Sequence, residues 1–256
     1  TMEELKLIVP DSLEEISLGQ YQYYLGAIKG KDEVKDAEFI NKKLIEAFCG
    51  IEYDLVDKIP YRDIERLLGV LKMAFEKDYD LIRHFKLLDV DMGFIPKLDD
   101  MSLGEYIDVE NYFGNWDDMH KAMAVLYRPV NFRSKERYTI APYEPSDEIN
   151  ELMKEMPLSV VMSCTLFFLQ FRDRVISDYS ELYGEDSSEG RYNVSSEDGF
   201  GKKWGWYQSI YALAKGDVRR FDEVTTLPLH QCLTFLTFEK EKNELEAKMI
   251  RKQYKQ

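Results

Sequence analysis

Ile16-Ser17-Leu18-Gly19-Gln20-Tyr21 and Met101-Ser102-Leu103-Gly104-Glu105-Tyr106 are two versions of one helix start. In each, a serine stands where an N-cap oxygen can accept the N–H three residues on. Gln20 or Glu105 at that third position can reach back to the cap's own N–H, completing a capping box. Ile16 or Met101 before the cap, with Tyr21 or Tyr106 at the fourth helical position, has hydrophobic-staple spacing. Two doubly specified starts point to a mainly α fold. The echo has two readings. One is a diverged duplication; the other is convergence of good helix starts on the same chemistry, which the dissimilar sequences that follow favour.

The flanking segments extend the helical pattern. Phe39, Ile40, Leu44, Ala47 and Phe48 recur at helical spacing, and Gly50 is a natural stop. Pro60 opens a further helix, where a missing N–H is harmless, and Ile64, Leu67, Leu68, Leu71 and Phe75 mark its buried face. The helix from Ser102 is expected to reach about Phe113. Another runs from Trp116 to Tyr127 and is ended by Arg128-Pro129. Pro157 opens the most apolar helix, expected to reach about Tyr183. Its run from Leu158 to Phe171 is too short to span a bilayer and fits a buried helix. Trp204 begins a helix that closes near Lys215-Gly216, and residues 217–223 form a short connecting turn of helix. Pro228 opens a last, long helix whose first half is apolar. Its second half is charged and keeps Leu245, Met249 and Ile250 at core-like spacing, so it is expected to project or to pack on a partner.

Strand signals are sparse. Residues 85–96 read as a short hairpin around Asp89-Val90-Asp91-Met92-Gly93, and residues 137–140 as a further piece of strand. The expected fold is a helical bundle-like body with one short β-hairpin and a long C-terminal helix. Residues 131–145, with two prolines, are a candidate linker between a region 1–130 and a region 146–256. The whole also fits the length of one domain. Residues 184–201 hold four Ser and four Gly, and residues 181–198 carry six acids against Arg191, so this segment reads as a flexible acidic loop.

Charge narrows the functions. The 256 residues include 34 bases and 48 acids, a net charge of −14. That field repels phosphate backbones and anionic bilayers, so neither nucleic acid nor membrane is expected as a partner. A basic protein surface would be attracted. Cys49, Cys164 and Cys232 are odd in number and widely spaced, which suits free thiols in a reducing compartment. Thr1-Met2-Glu3-Glu4 shows no signal-peptide character, so a cytoplasmic location is expected, and Asn193-Val194-Ser195 reads as a chance sequon.

The chemistry-bearing residues form no recognised motif. Of His84, His120 and His230, only His120 has an acid, Asp117, at ligand spacing, and a metal needs more than two ligands. Asp89-x-Asp91-x-Gly93 opens like a calcium loop but meets Phe94 and Pro96. Gly199-Phe200-Gly201-Lys202-Lys203 lacks the spacing of a phosphate loop. His230 and Cys232, two apart on a helix, point to different faces. No catalytic residue, metal or cofactor is therefore expected. The candidate protein interface is the aromatic group Trp204, Trp206, Tyr207 and Tyr211, together with Leu245, Met249 and Ile250. The alternative for the aromatic group is a place in the core.

A wider order of segments carries a resemblance. Ser17-Leu18-Gly19-Gln20-Tyr21 is followed by Met101-Ser102-Leu103-Gly104-Glu105-Tyr106-Ile107-Asp108 and then by His120-Lys121-Ala122-Met123-Ala124-Val125-Leu126-Tyr127-Arg128-Pro129. Pro157-Leu158-Ser159-Val160 with Phe167-Phe168 comes next, and then Trp204-Gly205-Trp206-Tyr207 with Leu213-Ala214. Together these resemble proteins of the structural modules of tailed bacteriophages, including phages of Bacteroidetes, some of which look like tail assembly chaperones. The resemblance implies a non-enzymatic assembly role in the host cytoplasm, with a phage structural (tail) subunit as partner and a homo-oligomer open. It transfers no catalytic residue. The alternatives are a neck, tail or internal component of the virion, and an enzyme with a dispersed active site.

Overall fold

A computed structural model of the chain describes residues 8–135, 137–183 and 204–254. The acidic stretch 184–201, the Asn193 sequon, the glycine-rich run 199–203 and the extreme N-terminus lie outside them.

Both capping boxes form as their sequences require. The Ser17 Oγ accepts from the Gln20 N–H at 3.2 Å, and Gln20 accepts from the Ser17 N–H at 2.8 Å. Ser102 and Glu105 repeat this at 3.2 and 2.8 Å. The helices they start, α1 (Leu18–Ile28) and α5 (Leu103–Phe113), are each 11 residues long.

A capping box leaves the first helical N–H without a partner. Here a second helix start supplies it. The Leu18 N–H donates to the Met156 carbonyl at 2.9 Å, and the Leu158 N–H donates to the Ile16 carbonyl at 2.8 Å. Ser17 and Pro157 thus form a two-bond antiparallel bridge that joins the N-termini of α1 and α8 (Leu158–Asp178). Ser102 and Pro228 form the same bridge. Leu103 donates to the Leu227 carbonyl at 2.9 Å, and Leu229 to the Met101 carbonyl at 2.9 Å, joining α5 to α12 (Leu229–Gln253).

The equivalence reaches further. Met156 and Leu227 each donate to the carbonyl three residues back, Met153 or Val224, at 3.2 and 3.1 Å. Eleven residues before each proline stands a side-chain helix cap, Ser146 or Asp217. Gly19 and Gly104 play one role: a Cβ on either would lie 3.1 to 3.2 Å from backbone and side chain of Lys154 or Thr225. Capping chemistry alone does not demand matched partner segments. The shared geometry therefore supports a diverged duplication over convergence.

The other helices follow their local signals. α2 (Ala37–Cys49) ends at Gly50, whose φ of 65° is left-handed. After a short α3 (Tyr53–Val56), Pro60 caps α4 (Tyr61–Phe75). Ile45, Ile51 and Val56 form a core cluster against which Ile64 and Leu68 of α4 pack.

Strand content exceeds the expectation. β1 (His84–Leu87) and β2 (Val90–Phe94) form the hairpin, but the turn falls at Leu88 and Asp89, with Leu88 at φ 53°. Asp91, Met92 and Gly93 are strand, not turn. Met92, Gly93 and Phe94 are buried, and a Cβ on Gly93 would meet Val130 at 2.9 Å and Tyr138 at 3.1 Å. The helix expected to reach Tyr127 stops at Leu126, giving α6 (Met119–Leu126). The chain passes directly into β3 (Tyr127–Ser134) and turns into β4 (Arg137–Ile140). Residues 131–145, read as a linker, are thus largely a hairpin that completes an antiparallel sheet of order β1-β2-β3-β4. Pro129 is tolerated in β3 next to a register irregularity between Val130 and Phe132.

Contacts divide the chain into two compact units, 1–96 with 109–167, and 97–108 with 168–256, rather than at residues 131–145. Each unit holds one of the two bridges. In the first, Phe94 and Tyr127 pack edge to face at 5.1 Å, and Phe94 meets Phe167 at 5.8 Å. In the second, Tyr106 is fully buried between Phe168 and Trp206. There α7 (Asp147–Leu152), of the first unit, has as its counterpart α11 (Phe221–Thr225), and among the described residues the other α-helices are α9 (Ser180–Tyr183) and α10 (Trp206–Leu213). No helix among the described residues is long and apolar enough to cross a membrane.

The bridges give a direct stability test. Ser17→Ala and Ser102→Ala should each lower unfolding free energy by about 1 kcal/mol in chemical denaturation. Gly19→Val and Gly104→Val should lower it further, because the added atoms must push apart the paired helix starts. Gly26→Ala, at an exposed helical position with open space around it, should instead raise it by up to about 1 kcal/mol.

Candidate functional site

The aromatic group divides between core and surface. Trp206 turns inward, edge-on to Tyr106 at 5.8 Å. Tyr207 and Tyr211, 49% and 55% exposed, face solvent with Trp204. Tyr207 and Tyr211, four apart on one helix, share a face, and the Trp204 ring joins them by its contact with Tyr207 although Gly205, at φ 43°, breaks the helix between them. Trp204 and Tyr207 rings lie 5.5 Å apart, and Tyr207 rests edge-on against Phe221 at 5.4 Å. The stripe is thus a buttressed aromatic surface. The other end of the stripe is held by Gly216, at φ 77°, where a Cβ would lie 3.0 Å from the Tyr211 hydroxyl.

The last helix divides in the same way. Leu229, Cys232, Leu233 and Leu236 are buried, whereas every residue from 241 to 254 is exposed. Leu245 and Met249, four apart, share a face with Phe238. Ile250, five from Leu245, lies on another side with Tyr254. All five are more than half exposed.

The histidines are held by structure. His120 is 4% exposed, and its Nδ1 accepts from the Gln22 amide at 3.1 Å. Glu151 stands 3.7 Å from its Nε2, while the Asp117 carboxylate turns away to Lys29. Burial, then Lys154, lowers the His120 pKa. Half-buried His84 sits edge-on to Tyr138 at 4.3 Å. Its pKa is lowered by burial and then by Arg133 and Arg83. Among the described residues no group of three or more His, Cys, Asp or Glu has the arrangement of a metal site. Cys164 and Cys232 are buried free thiols and Cys49 is half-buried. Burial raises all three, Cys49 and Cys232 to about 11, so none is a ready thiolate nucleophile near neutral pH.

One polar cluster escaped the sequence reading. His230 Nε2 lies 3.1 Å from Asp99, its Nδ1 lies 2.9 Å from the Tyr179 hydroxyl, and Arg174 pairs with Asp99 at 2.7 Å. In the neutral ring, Nε2–H donates to Asp99 and the Tyr179 hydroxyl donates to Nδ1. The Tyr179 ring also lies close to the imidazole, and Arg174 and His230 converge on the same Asp99 oxygen, Oδ1. Sequence separations of 51 and 131 residues hide this cluster from any spacing rule. Its evident work is to pin the start of α12 to the end of α8 and to the 3-10 turn Leu98–Asp100.

A shallow cleft of about 670 Å³ lies over the first bridge. Glu14, Glu15, Glu46 and Glu155 line it, with Ser17, Gln20 and Pro157. Two helix N-termini meet there, and each carries roughly half a positive charge from its peptide dipoles. Glu46 is held by Lys43 at 2.6 Å, and the Glu15 carboxylate accepts from the Asp11 N–H at 3.1 Å.

No protein-family model, no curated protein and no solved structure matches this chain.

His120 gives a pH prediction. Its folded pKa lies below the ordinary 6.5, so the unfolded chain takes up the proton first. The stability held by the neutral ring is complete above that ordinary value and is lost as pH falls through the lowered one. Protonation also removes the acceptor that Gln22 uses. The midpoint of urea unfolding should fall as pH drops below about 6.5, and His120→Gln should flatten that slope. His84 acts in the same direction, so a residual slope should remain.

Proposed function

We propose that this chain is a non-enzymatic phage morphogenesis protein that binds a structural (tail) subunit as an assembly chaperone in the host cytoplasm. The observation that carries the reading is the surface aromatic stripe Trp204, Tyr207 and Tyr211. Large amphipathic rings held rigid by neighbours provide contact area with little loss of side-chain freedom on binding. The exposed end of α12 offers further apolar side chains, Leu245 and Met249 on one face and Ile250 on another. The net charge of −14 favours a basic partner surface and faster encounter with it. The order of segments resembling tailed-phage assembly proteins supports the same role.

The first test is quantitative mass spectrometry of purified particles alongside the infected-cell lysate. Abundance in the lysate and absence from particles is the expected result. Fixed stoichiometry in particles would make the chain a virion component, and absence from both would remove the phage reading. The second test is capture of the subunit by the purified chain. Tyr207→Ala with Tyr211→Ala should weaken capture at least tenfold with an unchanged helical circular-dichroism spectrum. Capture unchanged by both substitutions would remove the stripe from the interface.

A further inference from the structure

The exposed end of α12 carries an ordered pattern of its own. Phe238, Leu245 and Met249 lie on one face, seven and four residues apart. Along one flank of that seam run Glu241, Glu244, Lys248 and Arg251, spaced three, four and three apart. The flank is acidic in its first half and basic in its second. Across the whole end, residues 239–247 hold four acids and two bases, whereas 248–254 hold three bases and no acid.

Two further facts bear on this segment. It is exposed along its full length from 241 to 254. Isolated helices of that length are marginal in water, so a helix here gains from being covered. The body that carries it is strongly acidic, which opposes placing two bodies side by side.

We propose that the end of α12 is a self-association site, in which two copies pair their helices antiparallel around a twofold axis near Ala247. Antiparallel helices set like flanks against each other. Glu241 then meets the other copy's Arg251, and Glu244 meets the other copy's Lys248. The axis repeats both pairs, and Leu245 packs against the other copy's Met249 between them. Because the interface is isologous, it closes at a dimer. A parallel pairing sets this flank against the opposite one, which carries Glu239, Lys242 and Glu246, so the four ion pairs do not form, and it brings two acidic bodies to the same end. This inference rests on the reading that the α12 tip is an interface, and it names the occupant as a second copy of the chain.

The test is sedimentation equilibrium of the full chain across a range of concentration and salt. A dimer is expected whose dissociation constant rises at least tenfold between about 0.05 and 0.5 M salt, because its ion pairs are exposed. Lys248→Glu with Arg251→Glu should leave a monomer, and Glu241→Lys with Glu244→Lys should do the same. An equimolar mixture of the two variants should dimerise again, more tightly than either parent, because one flank is then wholly acidic and the other wholly basic. All four positions are exposed, and circular dichroism checks that the fold is kept. A parent chain that stays monomeric overturns the proposal, as does a dimer that the Lys248 and Arg251 reversals leave intact. Subunit capture separates this failure from that of the wider reading. Capture lost on Leu245→Ala with Met249→Ala in a monomeric chain keeps the tip as an interface and removes only the second copy.

Discussion

Two helix starts facing each other pose a physical problem that this fold solves twice. Each N-terminus presents unpaired N–H donors and a partial positive charge, so bringing two together is unfavourable unless oxygen atoms stand between them. The Ser17–Pro157 and Ser102–Pro228 bridges place two carbonyls in that position, each accepting the first helical N–H of the opposite helix. The capping boxes satisfy the donors that the bridge cannot reach. Proline fits the second strand of the bridge because it has no N–H of its own to satisfy. The glycine after each leucine lets the backbones close to contact distance. In each unit, the burial of Ile16, Leu18 and Leu158, or of Met101, Leu103 and Leu229, depends on this junction.

Local partners account for charge that would otherwise look like a site. Of the four glutamates around the first bridge, Glu46 pairs with Lys43 and Glu15 accepts from the Asp11 N–H. In the second, the carboxylate of Glu105 itself takes part in the cap. His230, at the start of α12, is held by Asp99 and Tyr179 just beyond the second bridge. Polar groups that serve the junctions are thus distinct from the exposed Tyr207, Tyr211, Leu245 and Met249, which support no internal contact of comparable burial. That contrast directs the search for function to the surface.

Much of this was legible in the residues, because capping, helix opening by proline and helix closure by glycine are local chemistry. Ser17, Ser102, Gly50, Pro60, Pro157 and Pro228 each act within one turn of their own position, and each does what its type and neighbours dictate. The candidate surface was legible only in part. The four-residue spacing of Tyr207 and Tyr211 marks one helix face, but it does not say that Trp204 would join it across the break at Gly205 or that Trp206 would turn inward to Tyr106, about a hundred residues away in the chain. The sheet was the larger miss. Asp89 to Gly93 has turn composition, yet burial of Met92 and Phe94 and the close packing over Gly93 make most of it strand.

What the sequence determined by itself is therefore most of the longer helices, several of their ends and the strong acidity of the chain, since each depends on neighbours along the backbone or on simple counting; the short α3, α7 and α9 and the end of α8 at Asp178 were not among them. Only tertiary structure decided that the two echoed starts would each find a proline-opened partner. It also drew residues 127–140 into a sheet and tied His230 to Asp99. Those outcomes depend on which distant backbone groups remain unsatisfied once the local ones have paired, and on where buried volume is left to fill. Neither quantity is written in any single stretch of residues.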